Sequence, residues 1–127
     1  MTKKKVLLVD DQSEAMVPMA ILLETIGCEV NIVFNGYSAI EKIERENFDL
    51  LVIDWIMPEI NGFETLSGIE KVLQKRKKAK SLPFLTYTNQ DFGKINLPPM
   101  LKTRFIGHAS KSLKLHELAQ FVVRIIN

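Results

Sequence analysis

The stretch "KVLLVDDQ" (residues 5–12) is the most informative part of the sequence about the fold, because it joins an apolar run directly to two adjacent carboxylates. Four apolar residues lead into Asp10 and Asp11, and "LLVIDW" (residues 50–55) repeats the pattern by placing Asp54 after another four apolar residues. Unbroken apolar runs of this length are typical of strands in a parallel sheet, which are buried on both faces. We therefore expect two buried strands that end in acidic residues.

Apolar runs with the length of strands alternate with segments whose apolar residues recur at helical spacing. The strand-like runs cover residues 6–9, 29–34, 50–53, 84–88 and 105–109, and the helix-like segments cover residues 13–26, 38–46, 62–78 and 114–126. Strands that alternate with helices predict an α/β fold in which a parallel sheet has helices on both faces. With no internal repeat or linker in the chain, we expect one domain.

Two segments depart from this regular pattern. Pro18 lies inside the first helix-like segment, so that helix is expected to start late or to kink at the proline. The segment Asn89–Arg104, where the alternation calls for a fourth helix, contains Gly93 and the pair Pro98-Pro99. Because two consecutive prolines break a helix interior, we expect this helix to be short, displaced or absent.

Composition narrows the classes of protein that the chain can belong to. It has 127 residues, a formal net charge of +2 and a single cysteine, Cys28, so an internal disulfide is excluded and a cytoplasmic location is expected. No apolar run is long enough to span a bilayer. The basic run "KRKKAK" (residues 75–80) spreads around a helix and suits a helix C-terminus, so nucleic-acid contact is not expected.

The acidic residues at the strand ends predict a metal site. In open parallel α/β sheets, ligands bind beyond the carboxyl ends of the strands. If the first and third strands are neighbours, Asp10, Asp11 and Asp54 converge there, and such a cluster needs a cation. Mg²⁺ suits it, because this hard ion prefers oxygen ligands.

Two further strand ends carry the groups that phosphoryl transfer needs. Thr88 follows "PFLTY" with a hydroxyl, and Lys111 follows "FIGHAS" with an ammonium group. A carboxylate can attack phosphorus while a cation, a hydroxyl and an ammonium stabilise the transferring oxygens. These side chains together predict a phosphoryl-transfer site.

The motifs "VLLVDD" and "DLLVIDWIMPEINGFE", with Thr88 and Lys111, resemble the response-regulator receiver domain of two-component signalling. The resemblance covers essentially the whole chain, so it implies one receiver domain over residues 1–127. It also implies a flavodoxin-like three-layer fold with a five-stranded parallel sheet in the order 2-1-3-4-5.

The resemblance implies roles for the acidic residues. Asp54 would accept a phosphoryl group from a phosphohistidine of a sensor histidine kinase or a histidine phosphotransfer protein. Asp10, Asp11, Asp54 and the backbone carbonyl of Ile56 would hold Mg²⁺ or Mn²⁺.

It also implies that Thr88 and Lys111 bind the phosphoryl group. His108 stands where the family often has an aromatic residue that moves on activation, so it is a candidate switch residue. Asn89 and Ser112 replace the small residue and the proline that are common in the family. Because a non-proline cis bond costs about 2.5–4 kcal/mol, we expect a trans bond between Lys111 and Ser112.

The resemblance predicts a phosphorylation-controlled binding module that signals to an unknown downstream protein, and not a turnover enzyme. One alternative is a receiver-like scaffold that is never phosphorylated, which the irregular 89–104 segment favours. Another is a Mg²⁺-dependent phosphohydrolase, although such an enzyme needs a general acid near Asp54 and "DWIMP" has no second carboxylate two residues on. The oligomeric state is not predicted.

Overall fold

The computed structural model describes residues 3–76 and 78–126, and its sheet has five parallel strands in the order β2-β1-β3-β4-β5. The elements are, in chain order, β1 (Lys5–Val9), α1 (Ser13–Thr25), β2 (Glu29–Val33), α2 (Gly36–Arg45), β3 (Leu50–Ile53), α3 (Gly62–Lys75), β4 (Leu82–Thr88), a 3₁₀ helix (Phe92–Lys94), β5 (Thr103–Ser110) and α4 (Leu115–Ile126). The predicted fold class and strand order are confirmed. In the described residues, no helix is long and apolar enough to cross a membrane.

Side chains alternate across the central strands, so each strand supplies apolar groups to two core clusters. In β1, Val6 and Leu8 belong to the cluster under α1 and α4, whereas Leu7 and Val9 belong to the cluster under α2 and α3. Both faces of the strand are therefore buried, which explains the unbroken apolar character of the opening stretch.

The first helix starts earlier than expected. α1 begins at Ser13 and continues through Pro18 in its second turn, so the prediction of a late start was wrong. Met16, Met19 and Leu23 are almost fully buried in the first core cluster. The free energy gained by their burial offsets the loss of the backbone hydrogen bond that Pro18 cannot donate. A kink at Pro18 stays a prediction.

The connection between β4 and β5 confirms the expectation that the fourth helix is short, displaced or absent. Between residues 89 and 102, all of which are described, the one regular element is the 3₁₀ helix. The residues that follow it, 95–102, are here called the strap. Ile95, Leu97 and Met100 of the strap pack against the second core cluster, so the strap covers the sheet where a helix was expected.

A buried carboxylate fastens the strap to α3. Glu70 is 4% exposed and accepts hydrogen bonds from the backbone N–H groups of Leu101 at 3.0 Å, Lys102 at 2.9 Å and Thr103 at 2.9 Å. Buried carboxylates are tolerated when their oxygens are hydrogen-bonded. The end of the strap is therefore held in one place.

The basic run 75–80 differs from its prediction. α3 ends at Lys75, so most of the run follows the helix and does not spread around it, whereas Lys75 lies in the last turn and complements the C-terminus as expected. Lys77 lies outside the described residues. Lys78 and Lys80 are exposed.

Candidate functional site

The ends of β1 and β3 lie side by side, which brings Asp10 and Asp54 together. Val9 and Ile53 are paired in the register of these strands, and the Asp54 N–H donates to the carbonyl oxygen of Val9 at 2.9 Å. Asp10, Asp11 and Asp54 each offer a carboxylate oxygen, and these oxygens lie within 4.8 Å of one another. Asp10 and Asp54 are buried and Asp11 is exposed. The predicted acidic cluster is therefore present.

Lys111 links the two buried carboxylates. Its Nζ lies 2.5 Å from Oδ2 of Asp10 and 2.9 Å from Oδ2 of Asp54. Its backbone N–H donates to the carbonyl oxygen of Thr88 at 3.3 Å, which joins the ends of β5 and β4 at the site. One ammonium group faces a cluster of three carboxylates, so the site keeps an excess of negative charge.

The pKa values of the ion pair follow from burial and hydrogen bonding. Burial lowers the pKa of Lys111, but its bonds to Asp10 and Asp54 outweigh burial, so the pKa is raised and the ammonium stays charged. Burial raises the pKa of Asp10. The hydrogen bonds from Lys111 and the Gln12 N–H lower this pKa, and repulsion by Asp54 raises it further. The pKa of Asp10 is therefore raised chiefly because this carboxylate is buried, although Lys111 bonds it.

A cleft of about 360 Å³ opens above Asp54. The loops after β1, β3, β4 and β5 form its walls, and Asp11, Thr88 and Lys111 line it together with Asp54. The Thr88 hydroxyl oxygen accepts a hydrogen bond from the Gln90 N–H at 3.2 Å, which leaves the hydroxyl proton available for a ligand. Asp10 lies beneath the cleft and does not line it.

The loop after Asp54 is shaped by a close contact between Trp55 and Gly62. The Gly62 N–H donates to the carbonyl oxygen of Trp55 at 2.8 Å, and a Cβ at position 62 would lie 2.4 Å from the Trp55 ring. Asn61 then caps α3 in a capping box with Glu64. The "PEING" turn (residues 58–62) therefore needs glycine at position 62. The Gly62–Trp55 contact and the α3 cap fix the loop that follows Asp54.

Three predictions concern residues around this cleft. Ile56 lines it with a side chain that is 61% exposed, and the role of its carbonyl as a metal ligand stays a prediction. His108 does not line it: Nδ1 lies 2.7 Å from Oγ1 of Thr86, and the ring packs beside Phe92. Its role as a switch residue also stays a prediction. The bond between Lys111 and Ser112 is trans, as predicted.

Gln12 and Gln90 also line the cleft, although no motif of the sequence predicted them as site residues. The Gln12 N–H donates to Oδ1 of Asp10 at 2.9 Å, and the Gln90 N–H donates to Thr88. Both residues follow closely after predicted site residues in the chain, and this proximity was the signal that could have found them.

This strand order, with a carboxylate cluster, a hydroxyl and a lysine beyond the carboxyl ends of the strands, defines a flavodoxin-like α/β domain with a site suited to phosphoryl transfer. Residues 6–122 match the family described as the response regulator receiver domain. The chain belongs to this family.

Comparisons with individual proteins agree with this assignment. The chain is 31% identical over 114 residues to the regulatory protein VanRc of Enterococcus gallinarum, and the match covers 80% of this chain and 49% of VanRc. It is 28% identical over 120 residues to the sensor protein GacS of Pseudomonas syringae pv. syringae, covering 94% of this chain and 13% of GacS. The chain therefore spans less than half the length of these relatives.

The fold is shared with solved receiver domains. The receiver domain of the sensor histidine kinase PA1611 from Pseudomonas aeruginosa superposes with a TM-score of 0.70 at 18% identity, over 98% of each chain. That structure has a magnesium ion coordinated in its active-site cleft. At this identity the likeness shows the fold.

Family membership establishes the general function. Receiver domains receive a phosphoryl group from histidine kinases, and this chain is a phosphoacceptor domain of two-component signalling.

Proposed function

We propose that Asp54 accepts the phosphoryl group, from a phosphohistidine of a sensor histidine kinase or a histidine phosphotransfer protein. Two features distinguish the three carboxylates and support Asp54: whether each lines the cleft and whether each bonds Lys111. Asp11 lines the cleft but has no bond to Lys111, and Asp10 bonds Lys111 but lies beneath the cleft. Asp54 alone among the described acidic residues does both.

The donor set fits Mg²⁺. Carboxylate oxygens of Asp10, Asp11 and Asp54 lie close enough to share one ion, and Lys111 leaves part of their charge uncompensated. Hard oxygen donors favour Mg²⁺ over softer metals, and Mn²⁺ has similar preferences. We propose that these residues, with the carbonyl of Ile56, hold the ion. When bound, Mg²⁺ supplies positive charge for the oxygens of the transferring phosphoryl group.

The residues around Asp54 are arranged for the transfer. A carboxylate oxygen of Asp54 attacks phosphorus and forms a P–O bond, while the P–N bond breaks and the imidazole of the donor leaves with its electron pair. Lys111, already 2.9 Å from Asp54, pairs with a phosphoryl oxygen. The Thr88 hydroxyl donates a hydrogen bond to another of these oxygens.

The phosphorylated domain then signals by changed contacts with a downstream protein. The chain is a phosphoacceptor, with self-phosphorylation and dephosphorylation as its only chemistry. A phosphohydrolase would need a general acid near Asp54, but Ile56 occupies the position two residues on. The whole chain, residues 1–127, would act as one receiver domain, and a cytoplasmic location stays a prediction.

An unphosphorylated scaffold is the second candidate. The specific observation in its favour is the strap, which covers the sheet where a helix was expected and makes that surface unlike a regular α/β layer. If the chain is such a scaffold, the Asp54→Asn variant should bind the partner with the same affinity as the unmodified chain.

Trp55 offers a direct test, because it is the sole tryptophan and follows Asp54 in the chain. Its fluorescence should be followed on addition of Mg²⁺ and then acetyl phosphate, with intact-mass analysis of the same samples. We expect a change with Mg²⁺ and a gain of one phosphoryl group that Asp54→Asn abolishes. No fluorescence change and no phosphoryl group, with acetyl phosphate or a phosphorylated histidine phosphotransfer protein as donor, would refute the proposal and favour the scaffold.

A further inference from the structure

Charge is divided unevenly along the chain. Residues 71–104 contain nine lysines and arginines but a single acidic residue, whereas the rest of the chain contains eight basic and fourteen acidic residues. A segment of one sign creates a local field that a near-neutral total conceals.

The fold gathers many of these cations at the amino-terminal ends of β4 and β5. Arg76, Lys78 and Lys80 line one cavity of about 290 Å³. Nζ of Lys102 lies 3.4 Å from the carbonyl oxygen of Ala79, and Arg104 is paired with Pro83 in the sheet register. These five cations, Arg76, Lys78, Lys80, Lys102 and Arg104, are here called the basic end.

The basic end is not neutralised by the carboxylates around it. The ion pairs among the described residues involve none of its five cations. Glu46 and Asp49 line the same cavity; Glu46 pairs with Lys5 and Lys42, whereas Asp49 forms no ion pair with another described residue and offsets one of the five positive charges. Arg76 donates to the carbonyl oxygen of Glu44 and to Oδ1 of Asn47, which are uncharged. The basic end therefore keeps a net positive charge.

Leu101 adds an apolar group to this charged surface. The Leu101 side chain is 80% exposed, although Glu70 accepts hydrogen bonds from the backbone N–H groups of Leu101 and of the next two residues. The neighbouring strap residues Ile95, Leu97 and Met100 pack inward. An isolated exposed leucine is common, but Leu101 is fixed in solvent directly before Lys102 of the basic end, so a partner can contact the apolar group and the cations together.

We propose that the basic end and Leu101 bind an acidic protein segment that carries an apolar side chain. Its carboxylates complement the cations, and its apolar group contacts Leu101. Nucleic acid fits less well, because base recognition on such surfaces uses exposed aromatic rings. The exposed aromatic residues of the described chain, Phe34, Tyr37, Phe63 and Phe92, all lie beyond the carboxyl ends of the strands, at the opposite end of the sheet.

This surface is separate from the phosphorylation site. Lys80 and Lys102 precede β4 and β5, whereas Thr88 ends β4 and Lys111 follows β5. Strands of this length hold the two ends about 20 Å apart. The partner therefore binds with or without a phosphoryl group, and the proposal does not depend on the role of Asp54.

A displayed library of random peptides, selected on the immobilised full chain, tests the proposal. An enriched peptide would be labelled with fluorescein and its binding measured by anisotropy. The variants Lys78→Glu/Lys80→Glu and Leu101→Ser alter exposed side chains and should fold normally. The matched controls lie in or directly before α4 and also change exposed side chains. Lys114→Glu/Arg124→Glu matches the charge reversal, and Val123→Ser matches the loss of the apolar group.

We expect the enriched peptides to be acidic and to contain a large apolar residue. Each basic-end variant should weaken binding by about tenfold, while both controls and Asp54→Asn stay within about twofold of the unmodified chain. Peptides without acidic residues, or equal binding by the basic-end variants, would overturn the proposal. So would tighter binding of a single-stranded RNA oligonucleotide that Lys78→Glu/Lys80→Glu abolishes.

Discussion

The carboxylate of Glu70 accepts hydrogen bonds from both the backbone N–H and the hydroxyl of Thr103, each at 2.9 Å, although 33 positions separate the two residues. Glu70 lies in α3 and Thr103 opens β5, and both are buried. The bonds from Leu101 and Lys102 reach the same carboxylate. This single side chain therefore joins a helix to the edge strand where the strap replaces a helix.

Replacing Glu70 with glutamine should destabilise the fold. The amide keeps the volume but removes the charge, and its NH₂ group cannot accept from the backbone N–H groups. We expect the free energy of unfolding to fall by about 2–3 kcal/mol in urea denaturation. Glu44→Gln, at an exposed position, is the matched control and should change it by less than about 0.5 kcal/mol. An equal effect of both changes would show that Glu70 is not the fastening group.

The stability contributed by Glu70 should depend on pH. Burial raises its pKa, but hydrogen bonds from Gln74, Lys102 and Thr103 outweigh burial and lower the pKa from 4.5 to about 2. Because the folded pKa is the lower one, this stabilisation is complete above the unfolded value of 4.5 and is lost as the pH falls through about 2. The stability difference between the unmodified chain and Glu70→Gln should shrink between about pH 6 and pH 2.5 in urea titrations. A difference independent of pH would contradict this assignment.

Lys111→Met should separate the structural role of the lysine from its chemical role. The change leaves Asp10 and Asp54 buried without their cation, so unfolding without Mg²⁺ should cost about 3 kcal/mol less than in the unmodified chain. Mg²⁺ should bind this variant more tightly, because the competing ammonium is gone. Thermal unfolding over a Mg²⁺ titration measures both effects, and Lys114→Met is the control at an exposed lysine. Weaker Mg²⁺ binding by Lys111→Met would refute the competition.

Thr88→Val tests the hydroxyl as a donor to the phosphoryl group. Valine keeps the shape of this buried side chain but removes the proton that we expect to bond a phosphoryl oxygen. Phosphorylation by acetyl phosphate should slow by about tenfold, as measured by intact mass over time. Thr88→Ser keeps the hydroxyl and should retain most of the rate. If serine and valine slow the reaction equally, Thr88 contributes packing and not a hydrogen bond.

The sequence by its own pattern predicted the α/β fold class and the strand ends that carry the site, whereas the strand order was implied by the family resemblance. The apolar runs that end at Asp10 and Asp54 are local features, and burial on both faces requires such runs in a parallel sheet. The carboxyl ends of neighbouring strands meet at one edge, so residues placed there converge whatever the details of packing. Thr88 and Lys111 joined the site for the same reason.

The contacts that each residue makes depend on the tertiary structure and do not follow from the local sequence. Pro18 lies inside α1 because burial of the neighbouring side chains stabilises the helix by more than the missing hydrogen bond costs. Helix propensity describes single residues and does not include this burial. In the sequence Glu70 is one acidic residue of a helix, and Leu101 is one apolar residue two positions after a pair of prolines. Burial of Glu70 and exposure of Leu101 follow from contacts between distant segments, whereas sequence periodicity reports only the local face of an element.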